Sequence, residues 1–134
     1  MLEPRATAAA ATRVTDEDLA EIAGHLAQMN EAATHHDAMI EYDIAFHHRI
    51  AQASGNELLA SMLDALSSRT LRARVWRGII DEGSTAQTLA EHHAIHQALC
   101  QGNAEVAYAA ALMHVNTSEQ WLRQFAIGGG PHES

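Results

Sequence analysis

The chain is 134 residues long and 47% apolar, which suits one domain with a packed core and excludes a disordered chain or two ordinary domains. Its net charge of −9, with 17 acidic residues against eight arginines and no lysine, excludes the basic face that nucleic acid requires. A single cysteine, no apolar run near the ~20 residues that span a bilayer, and no apolar leader predict a soluble, cytoplasmic protein without an internal disulfide.

Alanine and leucine supply most of the apolar content, β-branched residues are sparse, and the only prolines, Pro4 and Pro131, lie near the ends. Such a composition predicts an all-α fold. A first helix is predicted from Leu2 to about Ala11, with Pro4 in the opening turn, where proline is tolerated. Thr15 is an N-cap candidate followed by three acids, and Leu19, Ile22, Leu26 and Met29 then mark one helical face as far as about Ala33. Thr34 to Asp37 is a short connection, with Asp37 expected to cap a third helix from Ala38 to about Ala53. Ser54-Gly55-Asn56 ends that helix, because Gly or Asn accepts the left-handed conformation past a C-terminus.

A fourth helix is predicted from Glu57 to about Ile80, with four arginines in its second half, and a loop over Asp81 to Ser84. The fifth spans about Thr85 to Gln101, Gly102-Asn103 turns the chain, and the sixth runs from Ala104 to about Ile127. Residues 128–134 form a flexible, glycine-rich tail. Six helices on short connections predict an antiparallel bundle.

Ten histidines are the unusual feature of the composition. Most histidines of a helical chain are solvated surface residues, so spacing has to separate ligands from the rest. Asp43 and His47 stand four apart on one face of the third helix and can reach a single ion, although an i, i+4 ion pair explains the same spacing. His92 lies ten residues before Gly102 and His114 twelve after it. At about 1.5 Å per residue, an antiparallel hairpin sets these two imidazoles side by side, roughly 15–18 Å from the turn. Asp43 and His47 precede Gly55 by twelve and eight residues, a similar level.

One oxygen and three nitrogens suit Zn²⁺, with Ni²⁺ or Mn²⁺ as other possible divalent ions, and leave coordination positions open. His96 forms its own i, i+4 pair with His92 but falls about 9 Å out of level with His114. His25, His35, His36, His48, His93 and His132 read as structural or solvated. Because three imidazoles must be neutral to bind, metal affinity is expected to fall below about pH 6.

At these residues the chain closely resembles the FCD domain, the C-terminal sensor of the FadR-like branch of GntR transcription regulators. The resemblance runs through Leu2-Glu3-Pro4, Thr15-Asp16-Glu17-Asp18-Leu19, Asp43-Ile44-Ala45-Phe46-His47 and Ile50-Ala51-Gln52-Ala53-Ser54-Gly55-Asn56. It continues through Glu91-His92, Gly102-Asn103-Ala104-Glu105 and Met113-His114. It implies an effector-binding domain over residues 1–127 whose Asp43, His47, His92 and His114 bind a divalent metal at the floor of a cavity. It also implies a small carboxylate effector that completes the metal's coordination, and a homodimer. DNA would be reached only through a separate N-terminal winged helix-turn-helix, which the given residues lack. An effector-binding arginine that the family often carries would fall before Met1, so the first helix is expected to be clipped. Among the helix-four arginines, Arg69 and Arg72 lie nearest the level of the metal and are the candidate anion ligands; a solvated basic face is the other reading.

Three functions compete. A metal-dependent effector sensor, not an enzyme, accounts for most of the residues. A metal-dependent hydrolase would use the open positions to activate water, but needs a general acid or base beside the ion. The one carboxylate near the ligands besides Asp43 is Glu91, which its place next to His92 predicts to aim at another face. An interaction module with surface histidines would bind no metal.

Overall fold

The computed structural model describes residues 2–66 and 82–127, and each element among them is helical. Helix α1 (Leu2–Ala11) leads to α2 (Asp16–Glu31), α3 (His36–Ala53), residues 57–66 of α4, α5 (Glu82–Gln101) and α6 (Ala104–Ile127). None of these helices is long and apolar enough to cross a membrane. The tail over 128–134 and the second half of the fourth predicted helix lie outside the described residues.

Local chemistry accounts for most of the boundaries. At the start of α2, Asp18 N–H donates to Thr15 Oγ1 at 3.1 Å while Thr15 N–H donates to Asp18 Oδ2 at 3.0 Å, a reciprocal capping box. Helix α3 starts two residues before the predicted Ala38. His35 occupies the cap position with no capping hydrogen bond from its side chain, and Asp37 lies in the first turn, where its charge meets the helix dipole. Helix α5 likewise starts at Glu82, so residues 82–84 of the predicted loop are helical. Gly and Ser cost a helix most in its interior and little in its opening turn.

Two Gly-Asn pairs end one helix and begin the next. Gly55 and Gly102 take φ of 78° and 68°, the left-handed region that glycine enters without penalty. The asparagines that follow then cap the next helices, Leu59 N–H donating to Asn56 Oδ1 at 3.0 Å and Val106 N–H to Asn103 Oδ1 at 3.1 Å. Turns this short oblige α5 and α6 to run back along each other.

Helix α1 packs on α6, α3 and α5, while α2 packs on α3 and α5. Alanines make this close approach possible: Ala6, Ala10 and Ala11 of α1 and Ala107 and Ala111 of α6 are all buried. Larger side chains fill the remaining space, with Ile22, Leu26 and Met29 from α2, Phe46 and Ile50 from α3, and Ile95 and Leu99 from α5. At the rim, Arg49 of α3 donates to Asp18 Oδ1 of α2 at 2.7 Å and pairs with Glu21 at 2.8 Å. The core closes around one polar group of side chains, contributed by four helices.

Candidate metal centre

Asp43 and His47 project from the same face of α3, one turn apart, as their i, i+4 spacing requires. His92 reaches them from α5 and His114 from α6. The rings of His92 and His114 face each other across the α5–α6 hairpin with centroids 4.7 Å apart. His47 stacks on His114 at 5.3 Å with an interplanar angle of 8°. Phe46, fully buried, lies edge-on to His47 at 5.3 Å and tilted against His92 at 4.9 Å, so one apolar ring seats two imidazoles.

Three polar atoms meet at the centre. Asp43 Oδ1 is 2.6 Å from His92 Nε2 and 3.1 Å from His47 Nε2, and those two nitrogens are 3.0 Å apart. The other nitrogen of each ring fixes where its proton can sit. His92 Nδ1–H donates to the Thr88 carbonyl at 2.6 Å, and a carbonyl can only accept. His47 Nδ1–H donates to Glu3 Oε1 at 3.0 Å, and His114 Nδ1–H donates to Glu91 Oε1 at 2.7 Å. With the proton fixed on Nδ1, neutral rings turn Nε2 lone pairs toward the centre, where Asp43 adds a carboxylate oxygen. Lone pairs so close repel one another unless a positive species stands among them. Protons on Nε2 can bridge these atoms in pairs, and a metal ion could serve all of them.

The 3.0 Å and 3.1 Å separations about His47 Nε2 suit such a role, whereas the 2.6 Å between Asp43 Oδ1 and His92 Nε2 is a hydrogen-bond distance. Ligands bound at about 2.1 Å to one ion, at angles between right and tetrahedral, lie about 3.0–3.4 Å from each other. The nitrogens of His47, His92 and His114 all fall within 4.8 Å of one another, and the three could hold an ion.

Charge follows the geometry. Burial alone would raise the Asp43 carboxyl, but the His47 and His92 charges and hydrogen bonds outweigh it and hold the group well below the usual carboxylate range. Burial pulls the His47 imidazole down, yet the charges of Glu3 and Asp43 overcome this and raise it to about 9. For His114 burial prevails over the Glu91 hydrogen bond, and the imidazole is lowered.

The structure thus brings Asp43, His47, His92 and His114 to one place. Three other histidines have other partners. His48 binds Asp64 Oδ1 at 2.8 Å, His93 approaches Asn30 Nδ2 at 3.2 Å, and His96 lies 3.6 Å from Cys100 Sγ. His25, expected to be structural or solvated, is half-buried, and its enclosed Nδ1 has no hydrogen-bond partner among the described residues. Arg69 and Arg72, the candidate anion ligands, lie outside the described residues, as do Arg74 and Arg77.

Sequence reasoning misplaced one carboxylate and missed another. Glu91 was expected to aim away from the ligands; it bonds His114 and is only 10% exposed. Adjacent helix positions differ by about 100° in direction, which turns Glu91 away from His92 but toward the neighbouring helix α6. Glu3 comes from α1, 44 positions before His47, and only the packing of α1 on α3 joins them. Its place in the Leu2-Glu3-Pro4 segment was the available signal.

Residues 1–117 match the FCD domain family. The chain is 33% identical over 126 residues to the galactonate operon transcriptional repressor of Escherichia coli K12, covering 92% of this chain and 54% of that protein. It is 31% identical over 128 residues to the HTH-type transcriptional regulator LutR of Bacillus subtilis 168, covering 91% and 58%. The chain therefore spans little more than half the length of these two relatives. Among solved structures it is similar to E. coli McbR/YncC, with a TM-score of 0.80 and 22% identity over 92% of this chain and 63% of that one. At that identity the likeness speaks to the fold. With a family match over most of its length and two relatives above 30% identity, the chain belongs to the FCD domain family of GntR-type transcription regulators.

Proposed function

We propose that this chain is the metal-dependent effector sensor of a GntR-type regulator, in which Asp43, His47, His92 and His114 hold a divalent ion. The observation that carries the reading is the set of three clustered imidazoles, each committing Nδ1–H to an oxygen, with the Nε2 atoms of His47 and His92 beside Asp43 Oδ1. Neutral nitrogen donors with one carboxylate favour Zn²⁺ among common cations, because Mg²⁺ and Ca²⁺ prefer all-oxygen sites. A bound ion supplies open coordination positions for a small carboxylate, the proposed effector.

Charge sharpens this proposal. Counting Asp43 alone leaves a divalent ion with a surplus of about +1 that would attract anions from a distance. Glu3 and Glu91 offset that surplus, so an anion is held through direct coordination to the ion. The relative named for the galactonate operon supports the class, since galactonate is itself a hydroxycarboxylate. Binding of this kind would act on DNA through a separate segment of the full-length regulator, working as a dimer. The hydrolase reading gains no support: Glu3 and Glu91, the further carboxylates bonded to these imidazoles among the described residues, each receive an imidazole N–H.

Calorimetric titration of citrate and lactate into zinc-loaded and metal-stripped chain tests the effector class. A heat of binding is expected only with zinc. Equal binding without metal, or neutral sugars binding as well as carboxylates, would overturn it.

A further inference from the structure

The geometry points to Glu3 and Glu91 as positioning residues for the metal, each locking one imidazole in the tautomer that can ligate. This rests on the proposed metal reading and deepens it. A carboxylate accepts hydrogen bonds and cannot donate them, so Glu3 at 3.0 Å from His47 Nδ1 and Glu91 at 2.7 Å from His114 Nδ1 both require the proton on Nδ1. Nε2 is then a lone-pair donor in each ring. Both contacts are enclosed, the side chains of His47, His114 and Glu91 being 10%, 11% and 10% exposed and that of Glu3 27%. Water competes poorly for such bonds, and the negative charge strengthens the donor character of the opposite nitrogen. His92 differs: its lock is the Thr88 carbonyl on its own helix, a backbone group that no side-chain change removes.

The two carboxylates also arrive from elements that supply different information. Glu91 ties α5 to α6 beside the ligands, whereas Glu3 ties α1 to α3. A ligand's orientation is thereby linked to the seating of the first helix.

Glutamine separates the lock from mere contact. A glutamine side chain has nearly the same shape but can accept from Nδ1–H or donate to a bare Nδ1, so it permits both tautomers. Zn²⁺ affinity is measured by competition with a chelator for wild type, Glu3→Gln, Glu91→Gln and the double variant, alongside the visible spectrum of Co²⁺-loaded protein. Metal-free melting temperatures are recorded for each. Each single change is expected to weaken Zn²⁺ about tenfold, and the double change about a hundredfold, since the two act on different ligands. The Co²⁺ bands should shift, with metal-free melting almost unchanged. Wild-type binding with unaltered affinity and spectra in both variants would overturn the positioning role and leave the ligand assignment standing. Lower metal-free melting with unaltered affinity would do the same and reduce both residues to helix ties. Failure of the wild-type chain to bind Zn²⁺ or Co²⁺ would overturn the metal reading itself.

Discussion

In the proposed site, His47 is where proton and metal would compete. Its imidazole, raised to about 9 by Glu3 and Asp43 against the effect of burial, lies above the ordinary value of about 6.5. In the metal-free chain this shift contributes stability that is fully present below about pH 6.5 and is lost as pH rises through 9. Metal binding runs in the opposite sense, because the proton must leave Nε2 before an ion can take its place. The fall in affinity that neutral model imidazoles place below pH 6 therefore begins higher. His114, lowered by burial, does not add to this barrier. The rise in melting temperature on adding Zn²⁺ should grow steadily between pH 7 and pH 9, followed by thermal denaturation at fixed free metal. A constant rise over that interval would mean that His47 carries no proton there. The residues that set this behaviour were only partly legible in the sequence. Asp43 and His47 announce themselves by an i, i+4 step, and His92 and His114 by equal distances from Gly102. Glu3 and Glu91 act across helix interfaces, and no periodicity within one helix reports which neighbour lies beside it.

Helices α3, α5 and α6 present the site because their ends are sharply defined. Gly55-Asn56 and Gly102-Asn103 each close one helix and cap the next, and their positions were legible as turn signals. Helix starts were less legible: α3 and α5 begin earlier than Asp37 and Ser84 indicated, since acidic and small residues serve equally as caps or in a first turn. Within α3, Phe46 is the packing residue that most directly supports the chemistry, being fully buried against both His47 and His92. Phe46→Ala should cost about 3–5 kcal/mol in denaturant unfolding of the metal-free chain. Met113→Ala, at a side chain 68% exposed one residue before His114, should stay within about 0.5 kcal/mol. Comparable losses for the two changes would show that the imidazoles are not seated by that ring.

On the scale of the whole molecule, composition and charge separate sensing from DNA binding. An acidic all-α bundle whose core closes around polar side chains suits a ligand-responsive domain, while a net charge of −9 opposes contact with phosphates. The chain alone should produce no shift of duplex DNA in a gel at physiological salt, and tight binding would mean that the DNA-contacting role has been misassigned. The bundle itself was legible from composition, apolar spacing and turn signals together. How α1 seats against α3 and α6 was not, because an alanine-rich helix carries little directional pattern. The central claim is that Asp43, His47, His92 and His114 form one divalent-metal site, and metal content after exposure to Zn²⁺ and dialysis tests it most directly. Elemental analysis should find one ion per chain in wild type and in His96→Ala, and almost none in His92→Ala or His114→Ala. Zinc retained by His92→Ala and His114→Ala, or lost from His96→Ala, would contradict the account.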